Sequence, residues 1–309
     1  MWFKRQSTGG LSRDELERMR QASDARAQET LAALQRGQLP PPVRERLARE
    51  KMADLPWTST LSVNEWLVFS RLRLKPLGLV MGSCFYHIGY SLSNYGGAWY
   101  SRDLPDQERA ITEGRRIALS RMEQEAMELG AHAVVAVRVD TRQPGYYGHE
   151  TEFVAMGTAV MVEGMARNSR PLICTVDGED FLKLLRVGSI PVGVALGACV
   201  HYQYTSAQDK FQSTTFWNTE VPRYTDAIYH TRDRAVKSMW DDARQMGASG
   251  VLAHDTKLRV MEVEVERGEG DEREDHIVEF LSIGTAVSSV RVPPDLKVRP
   301  VLELHDWQE

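Results

Sequence analysis

Three blocks of sequence occur twice in this chain, in the same order, and that duplication limits the fold more than any other feature. Pro76-Leu77-Gly78-Leu79-Val80-Met81-Gly82-Ser83-Cys84 returns as Pro191-Val192-Gly193-Val194-Ala195-Leu196-Gly197-Ala198-Cys199, a spacing of 115. Met122, Ala126, Leu129, Gly130 and Ala131 return as Met239, Ala243, Met246, Gly247 and Ala248, a spacing of 117. Glu152-Phe153-Val154-Ala155-Met156-Gly157-Thr158-Ala159-Val160 returns as Glu279-Phe280-Leu281-Ser282-Ile283-Gly284-Thr285-Ala286-Val287, a spacing of 127. Separate blocks that keep their order while their spacing grows slowly mark a tandem duplication.

Both copies follow one grammar. The first block is apolar with interleaved Gly and reads as a buried strand. An aromatic-bearing loop follows. Next, Ile111, Ala118, Met122, Ala126 and Leu129 fall on one helical stripe, as Val236, Met239, Ala243 and Met246 do in the second copy. Gly130 and Gly247 stand where a left-handed residue closes a helix. Ala133-Val134-Val135-Ala136-Val137 and Gly250-Val251-Leu252-Ala253 read as strands, and a polar hairpin leads to the last block. The expected fold is α+β, with two tandem β-α-β-β units, each a helix on a small antiparallel sheet. The extra length of copy two falls at Glu262 to His276, which reads as a solvated loop or extended hairpin tip.

The expected organisation is a charged helical extension over 1–57, one repeat over 58–166, the other over 172–292, and a tail over 293–309. In the extension, Ser12-Arg13-Asp14-Glu15 reads as a capping box that opens a helix running to about Arg36. Pro40-Pro41-Pro42 stops it, and a shorter helix is expected over Val43 to Met52. The long helix is only loosely amphipathic: a solvated arm, or a docking helix for another subunit or protein partner.

These blocks resemble the YbjQ-like family, which carries a heavy-metal-binding label, and the two-copy form is similar to its actinobacterial members. The specific parts are the helix exit, Leu129-Gly130-Ala131-His132-Ala133-Val134-Val135-Ala136-Val137, and the closing Met156-Gly157-Thr158-Ala159-Val160. The resemblance implies dodecin-like β-α-β-β units that assemble into a ring-like homo-oligomer, with no settled biochemical activity. The first loop departs from the family: it reads Ser93-Asn94-Tyr95-Gly96-Gly97-Ala98-Trp99-Tyr100 instead of a run rich in Arg, Asp and Gly.

Three kinds of chemistry are weighed. A metal site for Zn or Cu would use Cys84 with His87 and Cys199 with His201. Residues two apart on a strand share a face, so Cys199 and His201 converge; Cys84 and His87, three apart, need a bulge. Otherwise the cysteines are small core residues and no cofactor is bound. Trp99-Tyr100 and Phe216-Trp217 hold equivalent places and read as a ligand or subunit contact, or as padding between sheet and helix. Catalysis finds no support: none of the eight histidines lies in a nucleophile motif, and no phosphate loop follows a strand. His254-Asp255 would point to opposite faces, and His132 is expected in solvent.

A formal net charge of −5 argues against nucleic acid held by bulk charge. No apolar run is long enough to cross a membrane. Three cysteines without a secretory signal suit the cytoplasm. The reading is a non-enzymatic oligomeric scaffold or binding module, with metal or small-ligand binding as the alternative.

Overall fold

The computed structural model describes residues 12–52, 54, 58–71, 74–88, 99–142, 150–165, 169–213, 220–266 and 272–289. Residues 1–56 and 57–309 form two separate units.

The first unit is helical. Ser12 caps α1 (Arg13–Gln35): its hydroxyl accepts from Glu15 N while Glu15 accepts from Ser12 N, so the capping box forms as the sequence reads. α2 (Pro41–Lys51) starts on proline, whose missing N–H costs nothing at a helix start. Leu16, Met19 and Leu31 of α1 are exposed.

The second unit holds both repeats. The first runs α3 (Val63–Arg71), β1 (Leu74–His87), β2 (Arg102–Asp103), α4 (Pro105–Leu129), β3 (Ala133–Arg142) and β4 (Glu150–Val162). The second runs β5 (Leu172–Ile173), α5 (Gly178–Arg186), β6 (Ser189–Gln203), α6 (Ala207–Ser213), α7 (Pro222–Gln245), β7 (Gly250–Glu266) and β8 (Glu272–Ser289). The β-α-β-β grammar is present twice. Each copy also opens with a helix the sequence reading did not assign. α3 and α5 are counterparts: Ser62 and Asp177 cap them from the side chain, and Thr60 and Thr175 hydroxyls pair with Thr158 and Thr285 at 2.9 and 2.7 Å.

The duplicated glycines are explained by close backbone approach. A Cβ on Gly82 would stand 2.0 Å from Ala118 O, and one on Gly197 would stand 2.0 Å from Ala235 O. Each helix therefore rests directly on its strand, and any side chain at that point would push it off. One helical carboxylate locks each approach: Glu125 accepts from Met81 N at 2.9 Å, and Asp242 accepts from Leu196 N at 2.8 Å. Gly130 and Gly247 take the left-handed conformation expected of them, with φ of 77° and 76°.

The sheets are not independent. The first has the order β1-β4-β3-β5 and the second β2-β6-β8-β7. Thus β2, from the first repeat, pairs with β6 of the second, and β5, which leads into the second repeat, pairs in parallel with β3 of the first. One hydrophobic core spans both repeats and joins Val80, Met122 and Phe153 to Leu196, Val200 and Leu281.

One expectation is corrected and one alternative is decided. His132 is buried rather than solvated; Val162 N donates to its Nδ1 at 3.1 Å, which pins the helix exit to β4. Of the two readings of 262–276, the extended hairpin is the one that holds for the described residues: β7 runs to Glu266 and β8 begins at Glu272, with Val263, Val265 and Asp275 buried. Both His254 and Asp255 are exposed, like the rest of 252–258, and they sit at a bulge between Leu252 and Asp255.

Candidate functional site

The junction between the two repeats holds a buried charged cluster. On β6 the side chains alternate: Ala195 and Cys199 pack toward α7, whereas Leu196, Ala198 and Val200 face the first repeat. Onto that second face α4 sends Arg115. Its guanidinium is fully buried and donates to Gly197 O and Ser282 O, both at 3.0 Å. Burial pushes this arginine down to about 10, and the nearby Glu279 and Asp242 charges limit the fall. Glu279 is itself buried, which raises its carboxyl; Arg259, at 3.7 Å, and Arg115 oppose that. The next residue, Arg116, bridges to Asp242 on α7. A buried cation with its fork filled by two carbonyls fixes the register of one repeat on the other.

Beside it lies a second cluster. Asp103 of β2 accepts from His201 Nδ1 at 2.7 Å and from His230 Nε2 at 3.0 Å, with Arg234 Nε 3.5 Å from its other oxygen. The two imidazole rings meet edge-on with centroids 5.0 Å apart. Burial raises the Asp103 carboxyl, but the two histidines, by hydrogen bond and charge, outweigh it and hold it below the usual range. β2, β6 and α7 each contribute one member, so the cluster exists only because β2 crosses to the second sheet.

The expected metal ligands meet different fates. Cys84 is buried and His87 is exposed, and no bulge brings them together. Cys199 and His201 do share a face. Burial pushes the Cys199 thiol up, and Glu108, hydrogen-bonded to it, raises it further. Asp103, His201 and His230 do fit in donor type: three ligand atoms within 4.8 Å of one another, two imidazole nitrogens and one carboxylate oxygen. Asp103 and His230 were not legible as partners of His201, since only folding brings them from separate elements.

Trp99 and Tyr100 are each 63% exposed, so they do not pad the gap between sheet and helix. Phe216 and Trp217 lie outside the described residues. A cleft of about 350 Å³ between α4 and α7 is lined by Arg116, Arg234 and Lys237 opposite Glu108, Asp241 and Asp242. Its balanced charges suit a polar seam better than an apolar ligand pocket.

Comparison with known proteins completes the picture. The profile of the YbjQ-like family, described as "Putative heavy-metal-binding", matches residues 92–163 and 191–290, one match in each repeat. The chain is 32% identical over 259 residues to the encapsulin nanocompartment protein Rv1762c of Mycobacterium tuberculosis, covering 82% of this chain and 93% of that one. It is 37% identical over 91 residues to a UPF0145 protein of Methanococcus maripaludis, covering 29% of this chain and 80% of the relative. A UPF0145 protein of Dehalococcoides mccartyi is 35% identical over 92 residues, 29% of this chain and 86% of its own length.

Proposed function

Because the chain belongs to the YbjQ-like family, as a tandem two-repeat member, we propose that it is a non-enzymatic scaffold or binding module whose dodecin-like units build a ring-like homo-oligomer. The observation that carries this reading is the Arg115 fork. A YbjQ-like unit holds a ready-made seat for a second one: two strand carbonyls, a buried glutamate and an apolar face, all filled here by the neighbouring repeat. Similarity to a protein named for an encapsulin nanocompartment supports a place in, or attached to, such a protein shell. The exposed apolar residues of α1 support its use as a docking helix for that partner. Three buried, unpaired cysteines and the absence of any described helix long and apolar enough to cross a membrane support a cytoplasmic site of action.

Native mass spectrometry of the untagged full chain tests this. The expected species is a discrete multiple of the 35.0 kDa chain; a monomer at micromolar concentration rejects it.

A second reading is favoured by the Asp103, His201 and His230 cluster: the module binds Zn or Cu at the junction between repeats. A bound divalent ion would add positive charge and cross-link β2, β6 and α7. Zinc titration by calorimetry decides. On this reading the chain takes up one ion, H201A or H230A abolishes uptake, and C84S leaves it intact. Uptake that is absent, or that survives H230A, removes the metal and leaves the cluster as a hydrogen-bonded strut.

A further inference from the structure

The chain contains one complete junction between repeats and, at its two ends, the two halves of another. In the complete junction α4 covers the outer face of the second sheet, where Leu196 is 2% exposed and Val200 fully buried. Their counterparts on β1 are Met81 and Phe85, which are 45% and 60% exposed. The chemistry under them is conserved between the copies. Gly197, Ser282 and Glu279, which receive Arg115, correspond to Gly82, Ala155 and Glu152. Gly82 and Ala155 are directly opposite each other, as Gly197 and Ser282 are. This seat has no helix on it among the described residues.

The matching helix is also present, and its equivalent face is exposed among the described residues. Arg115 on α4 corresponds to Arg232 on α7, an exposed arginine. Thr112 and Glu123, which flank the α4 contact, correspond to Tyr229 and Trp240, two exposed aromatics on the same side of α7.

The strand edges repeat the pattern. Segment 172–176 pairs along β3, with Ala136 N donating to Val176 O at 2.7 Å and Val137 N to Cys174 O at 3.1 Å. The counterpart of β3 is β7, an edge of its sheet, and the counterpart of the edge that β2 covers on β6 is the edge of β1, which pairs with no further strand among the described residues. Arg116 has no such echo: its counterpart is Asp233, which would approach Glu125.

We propose that α7 of one chain docks on the outer face of the β1-containing sheet of a second copy of this chain, with Arg232 donating to Gly82 O and Ala155 O beside Glu152, so that chains join head to tail. The contact is heterologous, since helix and seat are different surfaces. Lys257 Nζ lies 2.7 Å from Asp140 Oδ1, and these are counterpart positions in the two repeats. Equivalent positions that touch lie close to the axis relating the copies, so the chain closes into a ring with an even number of units. This rests on the scaffold reading and names its surface and partner.

The test uses complementary blocked chains, read by native mass spectrometry on the full chain. R232E blocks the helix end and F85E blocks the seat. The wild type should be a discrete oligomer and each variant alone should fall to the 35.0 kDa monomer. Mixed in equal amounts, the two should form a one-to-one dimer that grows no further, because only one sound junction remains. That rescue also shows both variants to be folded; the milder pair R232Q and M81S replaces either that is not, judged by circular dichroism. A wild-type monomer rejects the scaffold reading and this surface with it. A wild-type oligomer whose mass neither variant changes, or a mixture that stays monomeric, rejects this surface alone.

Discussion

At the scale of single residues, two buried polar groups set the energetics of the junction. Arg115 is held by two carbonyls and faces Glu279, so truncation leaves acceptors and a carboxylate without their partner. Arg115→Met should destabilise the chain by about 3 kcal/mol, measured by urea unfolding, and Glu279→Gln added to it should recover part of the loss. Recovery of nothing would mean that the carbonyls, not the charge, dominate. Asp103 has a carboxyl whose folded value lies below its unfolded one. The stability it adds is therefore complete above about pH 4 and is lost as pH falls through the depressed folded value. Asp103→Asn should cost about 1 kcal/mol at pH 7 and flatten the acid limb of a stability profile. A profile unchanged by the substitution would show the three-residue cluster to be energetically idle. Neither residue announced itself in the sequence. An arginine on a helix is ordinarily solvated, and Asp103 meets His201 and His230 only through a two-residue strand.

At the scale of elements, the duplicated motif is a packing rule written into sequence. Gly82 and Gly197 recur because a helix backbone lies where their side chains would be, and the Met and Ala stripe recurs because α4 and α7 press on that same spot. Gly82→Ala and Gly197→Ala should each cost about 3 kcal/mol through overpacking. Gly250→Ala, whose added carbon meets only Val287 at 3.9 Å, should be nearly neutral in the same thermal melts. If all three behave alike, close helix contact is not the reason for the repeat. This layer was legible early, since one residue type answers one steric demand. The exchanged strands β2 and β5 were not: two-residue pairings leave no periodicity to read. α3 and α5 escaped for a related reason: they are short, and apart from Thr60/Thr175, Leu67/Leu182 and Arg71/Arg186 their aligned residues differ.

At the scale of the whole molecule, the fused repeats form one folded body. One core runs through both repeats, each sheet takes a strand from the other repeat, and the counterpart surfaces at the ends are exposed among the described residues. The sequence pointed to the tandem family and to oligomers, while the direction of stacking came only from seeing which face α4 covers. Hydrogen exchange read by mass spectrometry across a dilution series is the most direct measurement. Peptides covering β6 are sealed inside the chain and should exchange slowly at every concentration. Peptides covering β1, their counterparts, should be equally slow in concentrated protein and should speed up on dilution as chains part, together with the outer face of α7. A β1 that exchanges quickly at all concentrations, in protein that is nonetheless oligomeric, would contradict head-to-tail stacking and place the interface elsewhere.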